Sequence, residues 1–386
     1  MRPPATAETC WFAPGRVNFI GEHTDYNDGY VLPIALPLGV TAGVRVRADR
    51  RLVVVSANLP GQTVQTSLAD LVPGSVRGWG AYVVGVVWAL RERGLELPGA
   101  DVWVHGTVPR GAGLSSSAAL ECAVAAALNH RFELGLTRGE LVDVACRAEN
   151  DFVEMPSGTL DQSAAMLCTA GHALFLDTRT GQRRQIRLDL AAAGLRLVVI
   201  DTNAPHRLVD SEYAARRRDC ERASGLLHLA ALRDLADDQM EMTLARLPNE
   251  TLRRRVRHVV TENARVLATV AALDDGRDPR DIGPLLTSSH VSLRDDYEVS
   301  CRELDIAVEA ALEAGAYGAR MTGGGFGGSA IALVDRGGVQ RLVDHVQNRF
   351  TSAGLARPDL FAVTASDGAR RKWTEFTRTR DGGSPR

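Results

Sequence analysis

Lysine is nearly missing from this chain. Among 45 basic residues in 386, the only lysine is Lys372. Chemistry that needs a lysine amine therefore has one candidate, in a polar tail rich in Arg, Thr and Gly. A Schiff-base enzyme and a nucleotide site built around a P-loop lysine both fall away. Aromatic residues are scarce too, at 5%. No run of about 20 apolar residues occurs, so nothing is expected to span a bilayer. The six cysteines (Cys10, Cys122, Cys146, Cys168, Cys220 and Cys301) form no CxxC pair. Their spacing fits neither a zinc knuckle nor a disulfide framework, and thiols among apolar neighbours behave as small hydrophobes. Neither sign of charge dominates: 45 Lys+Arg against 47 Asp+Glu leaves a formal net charge of -2. That balance is too even for a generic nucleic-acid or membrane-surface binder. Met1 to Cys10 lacks the basic-then-apolar pattern of a signal peptide, so the cytoplasm is the expected location.

What is present is ordinary globular material, 45% hydrophobic, with a length that points to about two domains. Val44, Val46 and Ala48 alternate with Arg45, Arg47 and Asp49, and Leu52 to Ser56 follows; the pattern predicts a hairpin. Val102 to Val104 reads as a short strand and Ala81 to Leu90 as a buried helix. Leu114 to Leu128 is a small, Ala-rich helix with serines at its start, and Thr137 to Asn150 is a second helix with a capping pattern from Thr137 to Glu140. Leu174 to Leu176, Leu195 to Ile200 and Ser329 to Val334 are strand candidates. Val256, Val259, Val260, Asn263, Val266, Leu267 and Val270 share one helical face. Leu304 to Leu312 does the same, with Gly315 as its stop. Strands and helices mix without regular alternation, which predicts an α+β fold. The expected division is residues 1–190 and 191–386, with 378–386 a disordered tail.

Three segments carry chemistry. In Val108-Pro-Arg-Gly-Ala-Gly-Leu-Ser-Ser-Ser-Ala-Ala-Leu120 a strand ends, a glycine loop turns and a helix begins. The first turn of a helix has unpaired N–H groups and about half a positive charge. Gly111 and Gly113 let the backbone come close to an anion, so Gly111, Ala112, Gly113, Leu114, Ser115, Ser116 and Ser117 can cradle phosphates without lysine. One serine hydroxyl is a candidate ligand for Mg²⁺. A capped helix after a tight turn gives a similar start, but two glycines, three serines and small residues behind them favour phosphate.

The second segment, Ala13 to Pro33, crowds Arg16, Asn18, Glu22, His23, Thr24, Asp25 and Asn27 between apolar residues. That mixture of donors and acceptors suits a polyhydroxy ligand. A metal site from Glu22, His23 and Asp25 is the weaker alternative, since no HExxH spacing accompanies them. In the third, Ala148 to Gln162, Glu149 and Asp161 flank a Pro-Ser-Gly turn; one can hold a cation and the other accept a proton. Tyr213 lies among arginines on a helix, and Thr322 to Ser329 is a glycine loop that is either a hairpin turn or a close approach to ligand.

Together these segments resemble the sugar-kinase branch of the GHMP kinases, over about Phe12 to Val334. GRVNFIGEHTDYNDGYVLP resembles the signature of the members that phosphorylate galactose, VPRGAGLSSSAALE the phosphate motif, and RMTGGGFGGSAIALV the third motif. SEYAARRRDC and PSGTLDQ fall in the expected order.

The resemblance implies a two-domain α+β fold, ribosomal S5 domain 2-like then ferredoxin-like, with the site in the cleft between. It implies ATP-dependent phosphorylation of the anomeric hydroxyl of α-D-galactose to galactose 1-phosphate, with Mg²⁺ and with no protein, nucleic-acid or membrane partner. By position, Asp161 would be the base and Arg16 would lie between the hydroxyl and the γ-phosphate. Glu22, His23, Thr24, Asp25, Gly158 and Tyr213 would hold the sugar. Gly111 to Ser117 would bind the ATP phosphates, with Ser117 and Glu149 on Mg²⁺. The adenine pocket is open, with Trp79 and Ser56 as candidates. Asn150, Glu154, Thr159 and Leu160 depart from the family's usual histidine, glycine, isoleucine and methionine, so the pocket wall is expected to differ locally. Competing readings are a kinase for N-acetylgalactosamine or arabinose, a catalytically dead sugar sensor on the same fold, and a metal hydrolase. Unbroken GLSSSAAL, Arg16 and Asp161 favour the active enzyme.

Overall fold

The computed structural model describes residues 10–372, apart from 110, 156 and 205–208. The expected disordered tail, 378–386, lies outside the described residues. In chain order the elements are β1 (Cys10–Asn18), β2 (Tyr30–Val31), β3 (Pro33–Val46), β4 (Arg51–Ser56), β5 (Thr63–Ser67), α1 (Trp79–Glu92) and β6 (Ala100–Gly106). Then come α2 (Ser116–Arg131), α3 (Arg138–Arg147), α4 (Leu160–Leu167), β7 (His172–Asp177), β8 (Arg183–Arg187), β9 (Leu195–Asp201) and α5 (Val209–Leu227). The remainder is α6 (Met240–Leu244), α7 (Glu250–Asp274), α8 (Gly283–Asp295), α9 (Arg302–Glu313), β10 (Gly318–Thr322), β11 (Ser329–Asp335), α10 (Val339–Ser352), β12 (Asp359–Val363) and β13 (Arg370–Lys372).

The fold is α+β, as the irregular mixture of elements implies. One sheet runs β13-β1-β3-β6-β4-β5, a second β10-β11-β9-β12, and a small third β2-β7-β8. The first and last strands of the described residues share the first sheet, since β13 pairs antiparallel with β1. Period-2 alternation explains how β9 serves two cores. Val198 and Ile200 face a cluster with Val256, Val259, Leu304 and Leu342 from the helices. Leu195, Leu197 and Val199 face a cluster with Val17 of β1, Ile34 of β3, and Phe19 and Ile20 just after β1. That second cluster joins the two halves of the chain. The small residues of α2, among them Ala119, Cys122, Ala123 and Ala126, are buried with β3, β4, β6 and helices α1 and α3.

The hairpin predicted across Val44 to Ser56 is corrected. β6 lies between β3 and β4, antiparallel to the first and parallel to the second. The alternating pattern is right, but the partner is not local. Arg45 and Arg47 both reach Asp101 of β6, at 2.5 and 2.7 Å, and the Arg47 N–H donates to the Gly99 carbonyl. Gly99 permits that approach, because a Cβ there would come within 2.0 Å of the Asp49 carbonyl oxygen. The hairpin partner of β4 is β5.

Elsewhere the periodicities hold. Thr137 and Glu140 form the capping box of α3. That helix is regular only to Arg147; Ala148 to Phe152 then form a wide π turn that carries Glu149. The Thr322-to-Ser329 glycine loop closes an antiparallel hairpin, with Thr322 opposite Ser329.

α8 packs on β10 backbone to backbone. A Cβ on Gly318 would sit 2.1 Å from the Gly283 oxygen, and one on Gly283 would sit 2.1 Å from the Tyr317 oxygen. Gly318→Ala is expected to destabilise the chain by about 1–3 kcal/mol through overpacking. The check is the denaturant midpoint at unchanged slope; an unaltered midpoint would mean that α8 can retreat freely.

Candidate active site

Two cavities hold the candidate site residues, and the second lies at the N-terminus of α2. The first, about 200 Å³, is lined by Arg16, Glu22, His23, Asp25, Glu149, Met155, Ser157, Gly158, Leu160, Asp161, Tyr213, Gly323 and Gly324. Residues from the sugar-like segment, the Pro-Ser-Gly turn and the glycine hairpin thus converge on one wall. The second, about 450 Å³, is lined by Ser56, Asn58, Trp79, Tyr82, Ser116, Ser117 and apolar neighbours. Both candidate adenine residues, Trp79 and Ser56, lie there beside the serines.

Arg16 is the cross-link. Its Nε and Nη2 donate to the two carboxylate oxygens of Asp161 at 2.7 and 2.9 Å, and its Nη1 donates to the Gly113 carbonyl at 2.8 Å. The Ser115 hydroxyl also donates to Asp161. Gly111 and Gly113 have φ of 74° and 71°, and Ser115 adopts the same left-handed region at 55°. The carbonyls of Ala112, Gly113 and Leu114 are taken by Ser329, Arg16 and the Arg16 N–H. What the loop and the first turn of α2 can offer an anion is therefore their N–H groups.

Glu149 stands between the cavities. Its carboxylate accepts from Ser157 at 3.0 Å and Gln162 at 2.6 Å, and from the Ser117 hydroxyl. Burial, and then the neighbouring Asp161 charge, push its pKa up. A cation beside Glu149 would relieve that penalty, so this pair fits a divalent ion. Among the described residues no group of three or more His, Cys, Asp or Glu is arranged to hold a metal. Mg²⁺ commonly takes one or two carboxylates with phosphate and water, which the Ser117–Glu149 pair suits. The alternative metal site at Glu22, His23 and Asp25 is corrected by the same observation.

The sugar-segment residues divide. Asp25 faces the first cavity, and its pKa is raised to about 6 by burial, Asp161 and Glu22. Gly158 is glycine for space, since a Cβ there would fall 1.9 Å from the Asp25 Oδ2. Tyr213 lines the cavity, and burial keeps its phenol protonated, well above the usual pKa. Glu22 accepts from Gly323 N–H and Thr322 hydroxyl on one oxygen and from Asn18 on the other. It ties the segment to the glycine hairpin while keeping lone pairs for a ligand. His23 is neutral, its pKa lowered to about 3 mainly by burial. Its Nε2 donates to the Gly324 carbonyl and its Nδ1 accepts from Tyr26, so both ring nitrogens are already engaged. Thr24 is fully buried, with its hydroxyl within reach of the Gly21 and Tyr30 carbonyls, and it is not on the cavity wall.

Of the departures, only Leu160 lines the cavity. Asn150 bonds to Cys146 and Ser157, bracing the turn. Glu154, at a position where glycine is usual, has a left-handed φ of 64°. The sequence reading missed Met155, Ser157 and the bridging role of Gln162. Two polar residues in the Pro-Ser-Gly-Thr-Leu-Asp-Gln run were the available signal.

A cleft of this kind, with a glycine–serine cradle beside a paired carboxylate and guanidinium, defines a small-molecule phosphotransferase. The family models agree: residues 81–169 match "GHMP kinases N terminal domain", 268–352 "GHMP kinases C terminal" and 4–46 "Galactokinase galactose-binding signature". The galactokinase of Streptomyces coelicolor is 52% identical over 95% of each chain, and that of Mycobacterium tuberculosis is 41% identical over 92% of this chain and 97% of its own. The crystal structure of Lactococcus lactis galactokinase complexed with galactose superposes with a TM-score of 0.90, at 34% identity over 94% of each chain. Mevalonate kinase of Methanococcus jannaschii, at 15% identity and TM-score 0.69 over 95% of this chain and 100% of its own, shares the fold. The chain belongs to the galactokinase family of the GHMP kinases.

The raised Asp25 pKa gives a ligand-free test. ¹³C NMR of the carboxyls should show a signal titrating near pH 6 that is absent in Asp25→Asn. The folded state then holds this proton more tightly than the unfolded chain, whose value is 3.8. The stability this group contributes is present below pH 3.8 and lost as pH rises through about 6. Titration of every carboxyl below about pH 5 would sink the assignment.

Proposed function

We propose that this chain transfers the γ-phosphoryl group of ATP to the anomeric hydroxyl of α-D-galactose, giving galactose 1-phosphate and ADP. The observation that carries the reading is the two-fold pairing of Arg16 with Asp161 on the wall of a cavity that also holds Asp25 and Tyr213. In this reading residues 1–190 carry the sugar and phosphate sites, residues 191–386 close the cleft, and the enzyme works in the cytoplasm.

Phosphoryl transfer asks for positioning and charge stabilisation more than for covalent chemistry. Asp25 and Glu22 accept from sugar hydroxyls, and Tyr213 donates or accepts as the ring requires. Asp161 accepts the proton of the attacking hydroxyl, and an anomeric hydroxyl is more acidic than an ordinary alcohol. Arg16, already aligned on Asp161, shares its positive charge with the transferring group as the bond to ADP lengthens. The N–H groups of Gly111 to Ser117 hold the phosphates, and the second cavity receives adenine against Trp79. Ser117 and Glu149 would hold Mg²⁺, which when bound neutralises charge on the β- and γ-phosphate oxygens. His23 carries no charge and serves as part of the wall.

Phosphate transfer from ATP across a panel of free sugars, with the product position located by NMR, tests the reading. Galactose should be phosphorylated at C1; preference for N-acetylgalactosamine or arabinose would replace the substrate but not the reaction. Asp161→Asn should lower kcat by about a hundredfold or more with ATP binding retained. Substantial turnover in that variant would exclude Asp161 as an essential base. Arg16→Ala should act mainly on kcat, whereas a pure rise in KM would make Arg16 a ground-state contact. Trp79→Ala should raise KM for ATP alone.

A further inference from the structure

We propose that Arg320, which lines neither cavity, sets sugar affinity from behind the pocket by fixing the backbone of residues 18–22; this rests on the galactose reading above. Arg320 is fully buried, as are Glu262 and Ser289. Its Nη1 donates to the carbonyls of Asn18 and Phe19 at 3.0 and 3.2 Å, and its Nε donates to Ser289 at 3.1 Å. The Ser289 hydroxyl donates in turn to Glu262 at 2.7 Å. Glu262, on α7, accepts from the N–H groups of Gly21 at 2.9 Å and Glu22 at 3.4 Å. The segment is thus held by its carbonyls on one side and its N–H groups on the other.

The arrangement is electrically closed. Arg320 lies 3.5 Å from Glu22 and 3.6 Å from Glu262, and Arg265 pairs with Glu262 at 2.7 Å. Two carboxylates therefore face two guanidinium groups, and only Arg265 keeps partial exposure. His258, held neutral with a pKa near 4 chiefly by burial, adds no charge and donates to the Glu22 carbonyl at 3.1 Å. Burial alone would push Glu262 up, but Arg265 and Arg320 draw it down to about 2.

Strand geometry directs the effect to the sugar side. Arg320 and Thr322 share one face of β10. Thr322 accepts from the Asn18 N–H at 3.1 Å and donates to Glu22 at 3.0 Å. Everything the network grips belongs to the segment that delivers Glu22 and Asp25 to the first cavity. The phosphate cradle is held separately, by Arg16 and Ser329.

Arg320→Lys keeps the charge and removes the fork that spans two carbonyls and Ser289. It should raise KM for galactose about tenfold, the scale of a lost charge-assisted hydrogen bond. KM for ATP and kcat at saturating sugar should stay within about twofold. Ser289→Ala, a milder change, should give the same split at about threefold, and it decides the matter if Arg320→Lys does not fold. A folded variant with wild-type KM for galactose would overturn the proposal. So would a parallel shift of both KM values and kcat, the mark of a general structural effect. Wild-type enzyme is assayed alongside: its failure on galactose would sink the substrate reading, whereas unchanged variants against an active wild type would sink this one.

Discussion

Arg16 joins three places that are remote in sequence. Its main-chain N–H donates to Leu114, its Nη1 to Gly113, and its other two donors to Asp161. The phosphate cradle, the first residue pair of α4 and the strand that enters the sugar segment are thereby fixed to one planar group. A guanidinium can do this because its donors form a rigid fork, two of them matched to a carboxylate and the third left for a carbonyl. A lysine ammonium would offer the charge without the geometry. In a chain with one lysine, at residue 372, the cleft draws its positive charge from arginine, and the proposed anion contacts fall to main-chain N–H groups.

The histidines show a different use of burial. His23 and His258 are both held neutral well below the ordinary imidazole range. Each engages both ring nitrogens: His23 with Tyr26 and Gly324, His258 with Ser292 and the Glu22 carbonyl. From His23 the hydrogen bonds pass to Tyr26, Tyr297 and Cys220. With Nε2–H donating to a carbonyl, Nδ1 must accept, and each hydroxyl along the line then has one consistent direction. The sequence reading places His23 among the sugar contacts, with a metal ligand as the weaker alternative; in the structure it lines the cavity as a neutral ring with both nitrogens engaged.

Legibility follows the range of the interactions. The α+β class, the helix faces and the capping box of α3 depend on spacing within one element, and the sequence carries them in full. The hairpin over Val44 to Ser56 failed because alternation reports which face is buried, not which strand lies alongside; Asp101 and Gly99, some 50 residues on, decide that. The convergence of Arg16, Asp25, Asp161 and Tyr213 on one cavity was legible only through motif resemblance, since no local rule brings residue 16 to residue 161. Thr24, by contrast, was grouped with the sugar contacts because of its neighbours, and the structure turns its hydroxyl to the backbone. Arg320 went unnoticed although a lone charge among small and apolar residues in a strand is a signal. A buried arginine needs a partner carboxylate, and Glu262 lies on a helix whose apolar stripe drew the attention instead.

The buried carboxylates of the cleft load one another with charge. Glu121, Glu149 and Asp161 act on one another: burial and then Glu149 raise the pKa of Glu121, and burial and then Asp161 raise that of Glu149. Gln162 lies between, donating to Glu149 at 2.6 Å and Glu121 at 3.3 Å, but an amide N–H softens the repulsion without cancelling charge. Arg16 answers only Asp161. A triphosphate brought bare to the Ser117 side would add negative charge against Glu149, in a place where burial weakens screening. In the proposed reading, a divalent cation carried in with the phosphates would reverse the sign of that encounter, with Glu149 as one of its ligands. In that reading the acid that burdens the empty site would favour the loaded one, while Asp161 stays oriented by Arg16 and Ser115.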